Sequence, residues 1–220
     1  MQIFLDNILD SHTLKAITDS LSNDALYEDG KKTAGRTARR VKSNLQARPD
    51  AVEVKGALKL IEKALMNHPV FKAAALPQKF AKLMINRYGP GMQYGTHVDD
   101  PIIAGTRTDL SFTLFLSDPE TYEGGELVLC KHDGEEKVKL PKGALTLYPS
   151  TTLHHVAEVT EGTRLAAVGW VQSRVRLAEH REILFDLHTA LAQLPDTDEN
   201  LNARMQILKA KSNLTRIWAD

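Results

Sequence analysis

From Lys79 to Ser173 the chain consists of short apolar runs broken by Gly, Pro or Asp: "FAKLMINRY", "QYGTHVD", "DLSFTLFLS", "GELVLC", "EKVKL", "ALTLYP", "LHHVAEV" and "RLAAVGWVQS". Runs of this length, separated by turn residues and by no long helical pattern, predict an antiparallel sandwich or jelly roll rather than a parallel βαβ sheet. The flanks differ. "QIFLDNIL" predicts a short strand, and Ser11 stands where it could cap a helix through "HTLKAITDSL". In "AVEVKGALKLIEKALMNHPVFKAAAL", Leu58, Ile61 and Leu65 recur at helical spacing. Between these segments "EDGKKTAGRTARRVKSNLQARPD" is polar and Gly-punctuated, which predicts an exposed loop. Past Ser173 the helical period returns. Leu177, Leu184, Leu187, Leu191 and Leu194 form one stripe, "PDTDEN" breaks it, and Leu201, Met205, Leu208 and Ile217-Trp218 form a second. An antiparallel helix pair follows. The expected class is mainly β with flanking helices (α+β): helical support over 1–78, a jelly-roll core over 79–175 and a helical extension over 176–220.

Composition narrows the partners. Of the 220 residues 42% are hydrophobic, enough for one well-packed core with an appendage. Lys plus Arg and Asp plus Glu both total 28, so bulk charge gives no case for nucleic acid or an anionic membrane, and neither is an expected partner. Cys130 is the only cysteine, which excludes an intrachain disulfide and suits a reducing compartment. In "MQIFLDNILD" Asp6 interrupts the apolar run and no basic residue precedes it, unlike a signal peptide. No stretch approaches the ~20 apolar residues of a membrane-spanning helix. A cytoplasmic protein is expected. Apolar Ile217-Trp218 near the terminus, with the leucine stripes, points to a homo-oligomer built through the C-terminal helices.

The chemistry starts at "HVDD". On a strand His97 and Asp99 project from the same face. Such a pair alone is common and most often a hydrogen-bonded surface pair; a second imidazole would change its meaning. "LHHVAEVTEGTR" supplies adjacent His154 and His155, of which one can face inward. Thr160-Glu161-Gly162 fits a three-residue hairpin loop with Gly in the left-handed conformation. That register puts Arg164 on the face of Glu158, Val156 and His154. A two-residue loop at Glu161-Gly162 would place it with His155 instead; Gly162 at the last loop position favours the first. One face then carries His97, Asp99, His154 and Arg164. Two imidazoles and a carboxylate with open positions are the ligand set of non-haem Fe(II) oxygenases. The alternative is a cupin-like jelly roll that binds a metal or small ligand without catalysis, which has no need of Arg164.

At these residues the sequence resembles the iron(II)/2-oxoglutarate-dependent dioxygenases and, among them, the bacterial PKHD-type hydroxylases related to prolyl and lysyl hydroxylases. The matching pieces are "RYGPGMQYGTHVDDP", "RTDLSFTLFLSDPETYEGGELVL", "LYPSTTLHHVAEVTEGTR", "WVQS" and, upstream, "TAGRTARRVKSN". The resemblance implies a double-stranded β-helix with His97, Asp99 and His154 as catalytic iron ligands. Arg164, ten residues beyond His154, would hold the far carboxylate of 2-oxoglutarate. It implies Fe(II), 2-oxoglutarate and dioxygen, with L-ascorbate as a candidate reductant. The implied reaction hydroxylates a small-molecule or peptidyl substrate and decarboxylates 2-oxoglutarate to succinate and carbon dioxide. Tyr88 and Tyr94 bracket "GPGMQ"; Tyr94 is the candidate contact to 2-oxoglutarate, and aromatic packing is the alternative for both. "EGGEL" predicts a tight bulged turn in which Gly124 and Gly125 take unusual dihedrals. The basic run Arg36, Arg39, Arg40 and Lys42 is either a solvated loop or a lid over an acidic substrate.

Overall fold

The computed structural model describes residues 1–33 and 38–220. The chain begins with β1 (Ile3–Leu5), α1 (Ser11–Ser20), β2 (Tyr27–Asp29), β3 (Lys42–Ser43) and β4 (Leu45–Ala47). Two helices follow, α2 (Val52–Asn67) and α3 (Pro69–Ala75), then β5 (Pro77–Tyr88), β6 (Met92–His97), β7 (Ile102–Ile103) and β8 (Thr106–Arg107). The remaining strands are β9 (Leu110–Phe115), β10 (Tyr122–Gly124), β11 (Leu127–Lys131), β12 (Gly134–Val138), β13 (Leu145–Pro149), β14 (Leu153–Gly162) and β15 (Arg164–Ser173). Helices α4 (Ala178–Gln193) and α5 (Leu201–Trp218) close the chain.

The strands form two antiparallel sheets and one small hairpin, β7-β8. The larger sheet has the order β1-β13-β9-β15-β5-β4-β2; the smaller has β12-β11-β14-β6-β3, with β10 also on β14. Alternation along the larger sheet divides its side chains between two environments. Leu110 and Leu114 of β9, Leu145 and Leu147 of β13, and Ala167 and Val171 of β15 pack against Ile17 of α1, Ile61 and Leu65 of α2, and Phe71 of α3. The alternate positions Ser111, Thr113, Tyr148, Arg164 and Val168 face a cavity between the sheets, whose other wall includes Tyr94, His97, His154 and Val156. The fold is the expected jelly roll, with helices covering one sheet.

Several local expectations fail for identifiable reasons. Residues 160–162 do not form a hairpin loop. Gly162 still belongs to β14 and pairs with Tyr122 of β10, whereas Arg164 opens β15 opposite Tyr88 of β5 in the other sheet. The chain crosses between sheets there. A Cβ on Gly162 would lie 2.2 Å from Thr121 O, so the glycine serves close approach to β10 as well as its φ of +75°. The segment read as an exposed loop contains the end of β2 and all of β3 and β4, which add to both sheets, so residues 1–78 supply strands as well as helices. Lys42, Asn44 and Gln46 are buried there despite their polarity. Helix α1 is capped by Asp10, whose carboxylate accepts from Thr13 N at 2.7 Å, not by Ser11.

The tail is the expected antiparallel pair: Arg204 reaches the Leu191 and Leu194 carbonyls, Lys211 lies 3.2 Å from His188 Nδ1, and Trp218 stacks on His180. The stripes are less buried than expected. Leu184 is buried, but Leu177, Leu201, Met205, Leu208 and Ile217 are exposed. No helix among the described residues is long and apolar enough to cross a membrane.

This burial pattern orders mutational costs. Phe71 is fully buried and contacts Phe112 edge-on at 6.1 Å, so Phe71→Ala is expected to destabilise by about 3–5 kcal/mol. Met205→Ala on exposed α5 should stay within about 0.5 kcal/mol. Urea unfolding midpoints of the two variants check the contrast.

Candidate metal centre

Register brings the imidazoles together. His97, the last residue of β6, is the cross-strand partner of His154 on β14, and their rings lie 4.3 Å apart. Asp99 follows two residues past His97, and one donor atom from each of the three side chains falls within 4.8 Å of the others. The His154 Nε2 to Asp99 Oδ1 distance is 3.9 Å.

The surroundings fix which atoms face inward. His97 Nδ1 donates to Gly95 O, and His154 Nδ1 donates to Thr152 O, each at 2.9 Å. Protons held at Nδ1 leave each Nε2 lone pair available, the arrangement that orients histidine for a metal. Asp99 Oδ2 accepts from Ser111 Oγ at 2.5 Å, and Ser111 Oγ lies 2.8 Å from Ser150 Oγ. Oδ1 remains for the centre. Burial, then the adjacent His154, pushes His97 down to about 4, so it is neutral near pH 7, the form that ligates. Tyr94 stacks on His97 at 3.7 Å between ring centres and locks its plane.

His155 is excluded from this group. It clusters instead with Cys130 and Glu135 on the neighbouring strands. Asp100 lines the cavity but is not among the three clustered donors.

Arg164 lines the same cavity and is 1% exposed. Its guanidinium lies 5.3 Å from the Tyr88 ring and 5.5 Å from the Phe115 ring. Its Nε and Nη2 have no hydrogen-bond partner, and no carboxylate among the described residues pairs with it. Burial raises the Tyr88 phenol to about 12 despite the arginine beside it, so that hydroxyl keeps its proton. Gly124 and Gly125 both have positive φ, +69° and +66°, at the expected bulge. A Cβ on Gly125 would sit 3.1 Å from Arg164 Cδ, so the glycine makes room for the arginine.

The structure thus gathers His97, Asp99, His154, Arg164 and Tyr94 around one cavity. Of the basic run, Lys42 joins them, Arg39 and Arg40 are exposed, and Arg36 lies outside the described residues. Ser111 was missed. Its signal was the alternation of polar Ser111 and Thr113 with Leu110, Phe112 and Leu114 in "DLSFTLFLS".

Fold and site define a class. The sequence model of the 2OG-Fe(II) oxygenase superfamily matches residues 83–172. A PKHD-type hydroxylase of Parvibaculum lavamentivorans is 48% identical over 221 residues, with 100% of both chains covered. Another from Maricaulis maris is 43% identical, again over the full length of both. The chain belongs to the PKHD-type hydroxylases of the 2OG-Fe(II) oxygenase superfamily. Among solved structures, a prolyl hydroxylase from Trichoplax adhaerens shares the fold with a TM-score of 0.61 at 15% identity, covering 83% of this chain and 86% of its own.

If Ser111 orients Asp99, Ser111→Ala should weaken binding of a divalent ion by about 10- to 100-fold. Titration of the metal-free protein with Mn(II), followed by calorimetry, checks this; unchanged affinity would assign the serine to packing.

Proposed function

We propose that the enzyme hydroxylates its substrate while decarboxylating 2-oxoglutarate to succinate and carbon dioxide, with His97, Asp99 and His154 holding the ferrous iron. The observation that carries this reading is the buried, unpaired guanidinium of Arg164 in the same cavity as the three-residue donor set. A buried cation without an anion is costly, by several kcal/mol, unless a ligand supplies the charge. A site that only stored a metal would have no use for it.

The donor set suits the ion. Two neutral imidazoles and one carboxylate leave open positions and suit Fe(II) of the non-haem oxygenases. Ferrous iron held by these three residues would supply the oxygen-activating chemistry. The protein's own part is positional. Ser111 and the Gly95 and Thr152 carbonyls fix the ligating atoms. Arg164 takes the far carboxylate of 2-oxoglutarate in a charge-assisted, forked contact. Tyr88, protonated and opposite Arg164 in the β5-β15 register, can donate to the same carboxylate. Tyr94, whose phenol burial pushes well up, is a further protonated donor in the cavity. Anchoring the remote end orients the reacting end. L-ascorbate remains a candidate reductant on the resemblance alone.

Two sets of variants test the assignments. His154→Ala should abolish succinate formation, whereas His155→Ala should keep most of it; the opposite result would move the ligand to the Cys130 side of the sheet. Arg164→Ala should still bind metal, but its 2-oxoglutarate requirement should rise on the order of a hundredfold, since truncating one side of a buried charge pair costs roughly 2–5 kcal/mol. Arg164→Lys should fall between the two. Succinate release against 2-oxoglutarate concentration is the measurement, and a parental curve for Arg164→Ala would favour the non-catalytic, cupin-like reading.

A further inference from the structure

The cavity carries a second cationic region besides Arg164. Lys42 of β3 and Lys82 of β5 both line it. Lys42 is 5% exposed, and its Nζ sits 5.1 Å from the centre of the Tyr94 ring, which in turn stacks on His97. Among the described residues neither ammonium makes an ion pair or hydrogen bond. Burial, then the Lys82 charge, lowers Lys42 to about 8; Asp29 acts the other way and more weakly. Burial also lowers Lys82. Near neutral pH Lys42 is still mostly protonated, so a nearly enclosed cation sits beside another with the Tyr94 ring over it and no anionic partner among the described residues.

Distance separates this region from Arg164. On the β5-β15 ladder Tyr88 faces Arg164, and Lys82 faces Trp170 six residues away. At about 3.3 Å per residue the backbone positions of Lys82 and Tyr88 lie about 20 Å apart along β5. A five-carbon diacid anchored at Arg164 does not span that. Trp170 adds a buried indole Nε1–H without an acceptor at the Lys82 end. The cavity's carboxylates are Asp99, a proposed iron ligand, and Asp100, which is exposed. Bound iron, Asp99, Arg164 and doubly charged 2-oxoglutarate balance one another. The two lysines then leave the remaining space positive.

We propose that Lys42 and Lys82 form the recognition site for a free carboxylate on the prime substrate, with Trp170 Nε1 donating to the same ligand. This rests on the function proposed above. A carboxylate lodged there supplies the missing counter-charge and acceptors and anchors one end of the substrate while another part lies over the iron. Neutral or cationic analogues leave Lys42 buried and unpaired, so the site selects against them.

The test uses protein loaded with Zn(II), which does not turn over, and saturated with 2-oxoglutarate. N-acetyl-L-proline and N-acetyl-L-lysine, each against its C-terminal amide, are the probes, with affinities from ligand-observed NMR. Each free acid should bind about tenfold or more tighter than its amide, the scale of one charge-assisted hydrogen bond. That ratio should fall towards one in Lys42→Met and persist in Lys42→Arg. Reading a ratio guards against a partly unfolded variant. Equal binding of acid and amide by the parent, no measurable binding of any free acid, or a ratio untouched by both Lys42→Met and Lys82→Met would overturn the inference. So would loss of 2-oxoglutarate binding in Lys42→Met, which would place the lysine in the cosubstrate site. A parent that takes up Zn(II) but not 2-oxoglutarate would instead overturn the proposed function, and that is read before any probe is added.

Discussion

The pairing of β6 with β14 is the constraint on which the site depends. It sets His97 opposite His154, and a slip of one residue on either strand would turn an imidazole away from the cavity. That register is held from both sides. β11 pairs with β14 through Leu127 to Cys130, and β3 pairs with β6 at Lys42 and Ser43. The register shift between His154 and Val156 places its extra residue on β6, in the Gly95-Thr96 stretch, while ordinary alternation along β14 sends His154 to the donor cluster and His155 to the Cys130 group.

The same alternation gives the enzyme its electrostatic layout. A strand buried on both faces normally reads as continuously apolar. Here β9 and β15 turn residues such as Leu110, Leu114, Ala167 and Val171 to the helices and place Ser111, Thr113 and Arg164, with Val168, on the cavity side. The polar interior is tolerable only where partners exist. Ser111 satisfies Asp99; among the described residues neither Arg164 nor Lys42 has an acid paired with it, which is why each is proposed above to meet an anionic ligand.

Much of this was legible in the sequence. Eight short apolar runs each correspond to a strand, and the His97-Asp99 spacing with His154 and Arg164 identified the residues that share the cavity. The route to His154 was faulty even though it reached the residue that lines the cavity. Turn chemistry at Gly162 describes local dihedrals and close approach; it does not report which sheet the next strand enters. Residues 42–47 were obscure for another reason. Lys42, Asn44 and Gln46 are polar residues buried at sheet positions, so their pattern imitates a solvated loop. What the hydrophobic pattern could not carry was the inward polar set, because alternation shows which side a residue faces and not whether that side is water or a cavity.

The proposed reaction requires Fe(II) and 2-oxoglutarate to meet on a single centre in this cavity. Anaerobic addition of both to the metal-free protein tests it most directly, because a keto acid chelated to ferrous iron absorbs visible light and either component alone does not. The parent should develop that band, and Asp99→Ala should not. A parent that binds both components without the band would hold them at separate places, which would contradict the account.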